Sequence, residues 1–184
     1  MKTMDICVDR AGFYLCYGCL CFVPLFYALP SIYLAYHPVY LGWPLASLIC
    51  SIGFLSLYVN YDADRQRYLA RETNGKCLIW NKEPRLIRAK YILLDGKQSE
   101  NILLASGYWG LSRHFHYLPE LCLAFCWCTT SAFQSLVPYF YFMFLTVLLF
   151  HRSIRDDTKC LNKYGKYWLE YRQLVPYKII PYIY

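Results

Sequence analysis

The sequence predicts an all-α, multi-pass transmembrane helical protein, with about four membrane helices in two hairpins and a small polar cytosolic loop. Of its residues 58% are hydrophobic, 20% aromatic and only 17% charged, whereas soluble domains have roughly 25% charged residues. The charges are also segregated, since no Asp, Glu, Lys or Arg occurs over residues 11–60 or 121–151. Because about 20 apolar residues cross a bilayer, both stretches predict membrane helices.

Each apolar region divides into two candidate spans. The first region contains residues 12–29 and 38–58, which are separated by a proline-marked turn over residues 30–38. The second region, residues 117–150, contains two shorter spans that are broken near residues 135–138. With their extensions beyond the bilayer, we expect helices near residues 11–30, 38–66, 115–133 and 136–160.

The cations predict the orientation. Every Lys and Arg lies before Gly12, between Asn60 and Phe115, or after Phe150, and the two hairpin tips have none. The positive-inside rule therefore predicts that both termini and the middle loop are cytosolic. The net charge of +7 is thus expected on one face, where it serves orientation alone or binds a phosphate-bearing ligand.

The polar middle segment, residues 61–106, is predicted to be a flap without a core of its own. Its first part continues the second span as a helix, and Asn74-Gly75 is expected to end that helix. The runs CLIW, AKYILL and ENILLA resemble short strands, with Asp95-Gly96 as a tight turn between the last two. The 184 residues are therefore expected to form one domain.

The cysteines predict no metal site. Most of the ten cysteines lie in the apolar runs, where a thiol behaves as a small hydrophobic group. Cys16 and Cys19 have the spacing of a zinc or redox pair, but no second pair with flanking histidines follows. A secretory signal is not expected either, because the first apolar run leads directly into the second.

Two clusters of side chains in the polar regions are candidates for ligand binding. The first is Arg65, Arg67 and Arg71 at the membrane edge, which could equally contact lipid headgroups. The second is the stretch SGYWGLSRHFHY over residues 106–117. An aromatic plane beside a cation and imidazoles can stack a nucleotide ring and hold phosphate, or it can form an interfacial aromatic belt.

A third cluster follows the last apolar run. If that helix continues past Phe150, Arg152, Asp156 and Lys159 lie on one face, followed by Lys163 and Tyr164. A salt-bridged helix end at the headgroups is one interpretation. An acid placed among cations as a proton donor or ribose ligand beside bound phosphates is the other.

Several motifs together resemble those of the sterol reductase family. They are TMDICVDRAGF, VNYDADRQR with TNGKCLIW, SGYWGLSRHFHYLPE, VPYFYFMFLTVLLFHR and RDDTKCLNKYGKYWLEYRQLVPYKII. The resemblance runs along essentially all 184 residues, and the C-terminal pattern is its most specific part. The delta-14 reductases and lamin B receptor of this family typically have Pro and Asn where this chain has Phe115 and His116, a difference that resembles the delta-7 branch.

The resemblance implies a membrane enzyme, of the endoplasmic reticulum in a eukaryote, which binds NADPH on the cytosolic side. The reaction implied is NADPH-dependent reduction of a sterol ring double bond, of the 7-dehydrocholesterol to cholesterol type, with the sterol entering from the bilayer. Asp156 matches an acid proposed to support protonation of that double bond. The positions that match residues around the cofactor are Arg67, Trp109, His116, Arg152, Asp156, Lys163 and Tyr164.

Members of this family are longer than this chain, so the resemblance also implies that the N-terminal helices completing the sterol cavity are absent from it. The chain would be the cofactor-binding C-terminal half, with a separate N-terminal half as a possible partner and no nucleic acid. Two alternatives stay open: a catalytically silent membrane protein that retains the pocket as a scaffold or partner, and a methyltransferase resembling the isoprenylcysteine enzymes, which bind S-adenosylmethionine.

Overall fold

A computed structural model describes residues 16–92 and 98–184. The first element in these residues is a π-helical segment, Gly18–Tyr27. It is followed in chain order by α1 Leu29–Tyr36, α2 Trp43–Glu72, β1 Leu86–Ile92, β2 Gln98–Leu104, α3 Tyr108–Leu111, α4 Tyr117–Thr129, α5 Tyr139–Tyr164 and α6 Lys166–Leu174.

Helix α2 is the clearest membrane span. It has 30 residues, or about 45 Å at 1.5 Å per residue, and its apolar window has a mean hydropathy of 1.4. Only 6% of that window is buried inside the protein, so its apolar side chains face outward. Since the hydrocarbon core is about 30 Å thick, the polar end of α2 must extend beyond it.

The first predicted span and its turn are partly wrong. Part of the predicted helix over 11–30 lies outside the described residues; the rest is the π-helical segment. Pro30 does not begin a turn: it occupies the first turn of α1, where its missing N–H costs no hydrogen bond. The two segments bend by 42°, so they form a second span only if the bent pair crosses as one.

The helices of the second apolar region also differ from the prediction. Helix α4 has 13 residues, about 20 Å of helix, which is too short to cross a bilayer alone. Helix α5 has 26 residues, but its apolar half passes directly into a charged half. Among the described residues, α2 alone, or α2 with the bent pair, meets the length and hydropathy expected of a span. Four membrane helices in two hairpins are therefore not confirmed.

The prediction of an all-α chain is corrected by a β-hairpin in the middle segment. Strands β1 and β2 pair antiparallel, with Leu86 opposite Leu104 and Ile92 opposite Gln98. The described parts of the runs AKYILL and ENILLA thus pair as expected, whereas their Asp95-Gly96 turn lies outside the described residues. CLIW forms no strand and contributes a single bridge between Ile79 and Lys82.

The end of α2 follows the sequence signal. Asn74 and Gly75 have φ angles of 52° and 86°, and the Gly75 N–H donates to the Ala70 carbonyl at 2.9 Å. This is the Schellman arrangement that closes helices at a left-handed residue. The C-cap Thr73 also donates its hydroxyl to the Leu69 carbonyl.

Three buried clusters hold the polar part together. One packs β1 and β2 on the end of α5 and on α6 through residues such as Ala89, Tyr164 and Trp168. A second joins α4, α5 and Ile179, and a third joins the end of α2 to β2 and Trp109. The hairpin is therefore a part of the core, whereas the sequence predicted only a flap.

Candidate functional site

The end of α2 and the short helix α3 meet at a stacked cation and ring. The indole N–H of Trp109 donates to the Ala63 carbonyl at 2.7 Å, which fixes the ring against α2. The Arg67 guanidinium lies over this ring, 4.4 Å from its centroid, and the His116 ring centroid is 5.2 Å away. Three of the predicted site residues are thus in one place.

Gly107 makes this approach possible. Its φ is +61°, and a β-carbon there would collide with Gln66 Oε1 and Ile79 Cγ2. The same Gln66 oxygen accepts the Tyr108 N–H at 3.3 Å. A left-handed backbone without a side chain therefore lets α3 dock directly on α2.

Arg152 and Asp156 form the second group of predicted residues, on α5. Arg152 Nε is 3.7 Å from Asp156 Oδ2, one helical turn away, and Arg155 Nε is 3.9 Å from Oδ1. The Asp156 carboxylate also interacts electrostatically with Tyr117. Asp156, whose side chain is only 17% exposed, thus faces the start of α4.

Two histidines lie between these groups. The His114 and Tyr117 rings stack, with centroids 5.1 Å apart and planes 8° apart, and His116 is 4.3 Å from Tyr117 by the same measure. Burial lowers the pKa of His114 to about 4, assisted by the nearby Arg113 charge, so it is neutral at pH 7. In the described part of the chain, His114 Nε2 and His116 Nδ1 are buried without a hydrogen-bond partner.

Lys163 and Tyr164 contact the β-hairpin. The Lys163 ammonium lies 4.3 Å from the Tyr91 ring centroid and 5.1 Å from that of Tyr164. The Tyr164 hydroxyl accepts a hydrogen bond from Asn101 Nδ2 at 2.8 Å. These two predicted residues therefore contact the hairpin and each other rather than the Arg67 and Trp109 stack.

The prediction missed Asp157, whose partners lie in three different segments of the chain. Its Oδ1 accepts the Trp168 indole N–H at 3.0 Å and lies 3.7 Å from Arg113 Nε. Arg172 Nη1 is 3.9 Å from Oδ2. The sequence offered one indication of this role: Asp157 is the second acid of an adjacent pair and is followed by the aromatic residues Trp168 and Tyr171.

The donor set suits a dinucleotide phosphate. Cations bind phosphate oxygens, and the two unpartnered imidazole nitrogens are buried groups that a polar ligand would satisfy. The Arg67 guanidinium already covers one face of Trp109, so a ligand ring on that side would stack on the guanidinium. A shallow cavity of about 330 Å³ is lined by Trp80, Arg85 and Gly107 among others, and its lining includes none of the predicted cofactor residues. Within the described ranges no cluster of three or more His, Cys, Asp or Glu residues could hold a metal ion.

These features place a cationic and aromatic cluster at the polar end of a helix that is long and apolar enough to cross a membrane. The chain belongs to the ergosterol biosynthesis ERG4/ERG24 family, whose model matches residues 1–184. This membership argues against the methyltransferase alternative.

Its relatives include sterol reductases of two kinds. It is 53% identical over 183 residues to a 7-dehydrocholesterol reductase of Arabidopsis thaliana, covering 100% of this chain and 42% of that protein. It is 41% identical to a 7-dehydrocholesterol reductase of Xenopus laevis, covering 98% of this chain and 38% of that protein. A delta(14)-sterol reductase of Mus musculus is 40% identical, with 100% and 42% covered. The chain thus spans about two fifths of the length of these relatives.

Proposed function

We propose that this chain is the NADPH-binding part of a sterol reductase. The observation that carries the proposal is the meeting of Arg67, Trp109 and His116 at the end of α2. The relatives named for sterol reduction support it, since they match the whole chain. The sequence prediction placed the same three residues around the cofactor.

Bound NADPH supplies a hydride, and the chain's own residues hold the cofactor and a proton. We assign Arg67, Arg152 and Lys163 to the phosphates, since each presents a cation at the edge of the site. Asp156, which is little exposed and flanked by Arg152, is assigned to support proton delivery. His116 and Tyr164 complete the wall of the site.

We further propose the delta-7 double bond, as in 7-dehydrocholesterol, as the position of reduction. Support comes from the higher identity to the plant 7-dehydrocholesterol reductase, 53% against 40% for the mouse delta(14) enzyme. Phe115 supports it as well, because it is buried and stacks on Tyr108 at 4.9 Å. A proline at that position could not reproduce this aromatic contact.

The proposal places the protein in the endoplasmic reticulum membrane, with the sterol entering from the bilayer. The remaining part of the reductase, equivalent to the N-terminal three fifths of the relatives, is proposed as a partner that completes the sterol cavity. The apolar and outward-facing part of α2 supports the membrane location.

Cofactor binding is tested with the 184-residue chain in lipid nanodiscs. Titration with NADPH and with NADH, followed by fluorescence of the reduced nicotinamide, is expected to give at least tenfold tighter binding of NADPH, because its 2'-phosphate meets the additional cations. Arg67→Gln, Arg152→Gln and Lys163→Gln should reduce this preference. Equal affinities for the two cofactors would contradict a 2'-phosphate site.

Activity is tested by expressing the chain together with the N-terminal part of the Arabidopsis relative in yeast membranes. Conversion of 7-dehydrocholesterol to cholesterol with NADPH, measured by gas chromatography and mass spectrometry, is the expected result. A delta-14 unsaturated sterol serves as the comparison substrate, and faster reduction of it would overturn the assignment to delta-7.

A catalytically silent scaffold is the second candidate. NADPH binding without turnover, even beside the N-terminal part, would select it.

A further inference from the structure

The carboxylate of Asp157 connects segments that are far apart in the sequence. It lies on α5 and contacts Trp168 and Arg172 on α6. It also contacts Arg113, which lies in the segment before α4. One side chain therefore joins α5, α6 and the segment that leads to His114 and His116.

Arg113 extends this connection to the C-terminal segment. Its side chain is 3% exposed, and its Nη1 donates to the carbonyls of Val175 at 2.8 Å and Pro176 at 3.0 Å. A buried guanidinium requires a nearby anion as well as acceptors for its N–H groups. Asp157, 3.7 Å from Arg113 Nε, provides that negative charge.

Backbone contacts then pin the histidine segment to the same C-terminal residues. The Arg113 and His114 N–H groups donate to the carbonyls of Tyr177 and Lys178 at 3.0 and 2.7 Å. The Ser112 hydroxyl donates to the Ile179 carbonyl at 2.8 Å, and Ile179 is fully buried. The position of residues 112–114 is therefore set by residues 175–179.

Asp156 and Asp157 meet different partners because they are adjacent residues of one helix. Successive residues on a helix point about 100° apart, so the two carboxylates face different surfaces of α5. Asp156 contacts Arg152 and Arg155, while Asp157 contacts Arg113 and Trp168.

We propose that Asp157 is a positioning residue, which acts through Arg113 and residues 175–179 to place His114, His116 and Tyr117 at the candidate site. It does not touch the cofactor itself. The link to cofactor binding rests on the function proposed above, whereas the positioning of the histidine segment does not.

Hydrogen exchange of the 184-residue chain in nanodiscs, measured by mass spectrometry, tests the positioning. Asp157→Asn is expected to speed exchange at least tenfold in peptides covering residues 112–116 and 175–179, and to leave those of β1 and β2 unchanged. Asp157→Glu should restore protection in large part, because it keeps the charge. Glu100→Gln, which removes an exposed carboxylate 3.7 Å from Arg88, is the matched control and should behave like the wild type.

The cofactor readout separates positioning from direct contact. Asp157→Asn is expected to weaken NADPH binding at least fivefold in step with the exchange, with recovery in Asp157→Glu. Weakened binding with unchanged exchange at 112–116 would overturn the proposal, because Asp157 would then act on the ligand directly. The same exchange pattern in Glu100→Gln would also overturn it.

Two further results keep the test decisive. If Asp157→Asn does not fold, Trp168→Phe removes one hydrogen bond to the carboxylate and keeps the ring; it should speed exchange in the same two peptides, and an unchanged pattern would refute the connection. If the wild type binds no NADPH but the exchange changes as expected, the proposed function fails and the positioning role stands.

Discussion

The guanidinium of Arg67 lies over the indole ring of Trp109, with 4.4 Å between its central carbon and the ring centroid. The two residues come from α2 and α3, and the indole N–H is bonded to the α2 backbone at Ala63. The stack therefore joins the membrane helix to the segment that carries the histidines. Its strength can be measured by substitution of both members.

We expect Arg67→Gln and Trp109→Phe to be coupled in a double-mutant cycle. Cation–π pairs contribute about 0.5 to 2 kcal/mol, and Trp109→Phe additionally removes the indole hydrogen bond to the Ala63 carbonyl, worth about 0.5 to 1.5 kcal/mol. Unfolding in mixed detergent micelles gives the free energies. Arg88→Gln combined with Trp109→Phe is the control, and its effects should add; equal coupling in both cycles would contradict the contact.

Asp156→Asn and Arg152→Ala are expected to separate chemistry from binding. Asp156→Asn should leave NADPH affinity within a few-fold and lower turnover roughly a hundredfold, the usual loss when general acid catalysis is removed. Arg152→Ala should weaken binding instead, since a phosphate ligand acts through affinity. Both are measured in the chain expressed with the N-terminal part of the plant relative. Normal turnover by Asp156→Asn would exclude Asp156 from the mechanism.

Acid is expected to destabilise the protein through His114. Its pKa is lowered from 6.5 to about 4 by burial, within reach of the charges of Arg113, Asp157, Arg152 and Lys178. The unfolded chain therefore binds a proton that the folded chain does not. This contribution is fully present above pH 6.5 and is lost as the pH falls toward 4.

The size of this loss is about 3 kcal/mol, at about 1.4 kcal/mol for each tenfold change in proton affinity. Thermal unfolding from pH 7.5 to pH 4.5, compared between the wild type and His114→Gln, measures it. The variant should show a shallower decline with falling pH. Parallel curves would show that the pKa of His114 does not differ between the folded and unfolded chain.

Gly107→Ala is expected to destabilise the junction of α2 and α3. The substitution puts a β-carbon into Gln66 and Ile79 at a φ of +61°, and strained residues of this kind cost about 1 to 3 kcal/mol. Gly53→Ala is the matched control, because the added carbon there would meet Leu123 Cδ1 at an ordinary 3.7 Å inside a helix. Thermal unfolding should show a loss for the first only, and equal losses would contradict the close packing at Gly107.

Local signals in the sequence predicted the features that depend on local chemistry. Asn74-Gly75 predicted the end of α2 because a left-handed residue is needed there. The alternating runs around Ala89 and Ile102 predicted the strand pair, and both residues are buried. Residue patterns alone placed Arg67 in one cluster and Trp109 with His116 in another, and the structure brings the three side chains together.

Features that depend on tertiary contacts were not predicted. The length of α4 is set by where it packs on α2 and α5, which hydropathy alone does not encode. The contact of Asp157 with Arg113 joins residues 44 positions apart in the sequence. Adjacent acids look alike in a sequence, and only the packing of the helix decides which partners each one meets.

Helix α2 runs without a break from its apolar part to Glu72, so a tilt of its apolar part also moves its polar end. Arg67 stands seven residues beyond Asn60, about 10 Å along the axis, so a tilt of 10° about Asn60 displaces it by about 2 Å. Trp109 and Tyr108 are bonded to α2 and move with it, whereas Asp156 belongs to α5. The spacing between the two halves of the site therefore depends on how steeply the membrane helix stands, and bilayer thickness becomes a physical variable of the site.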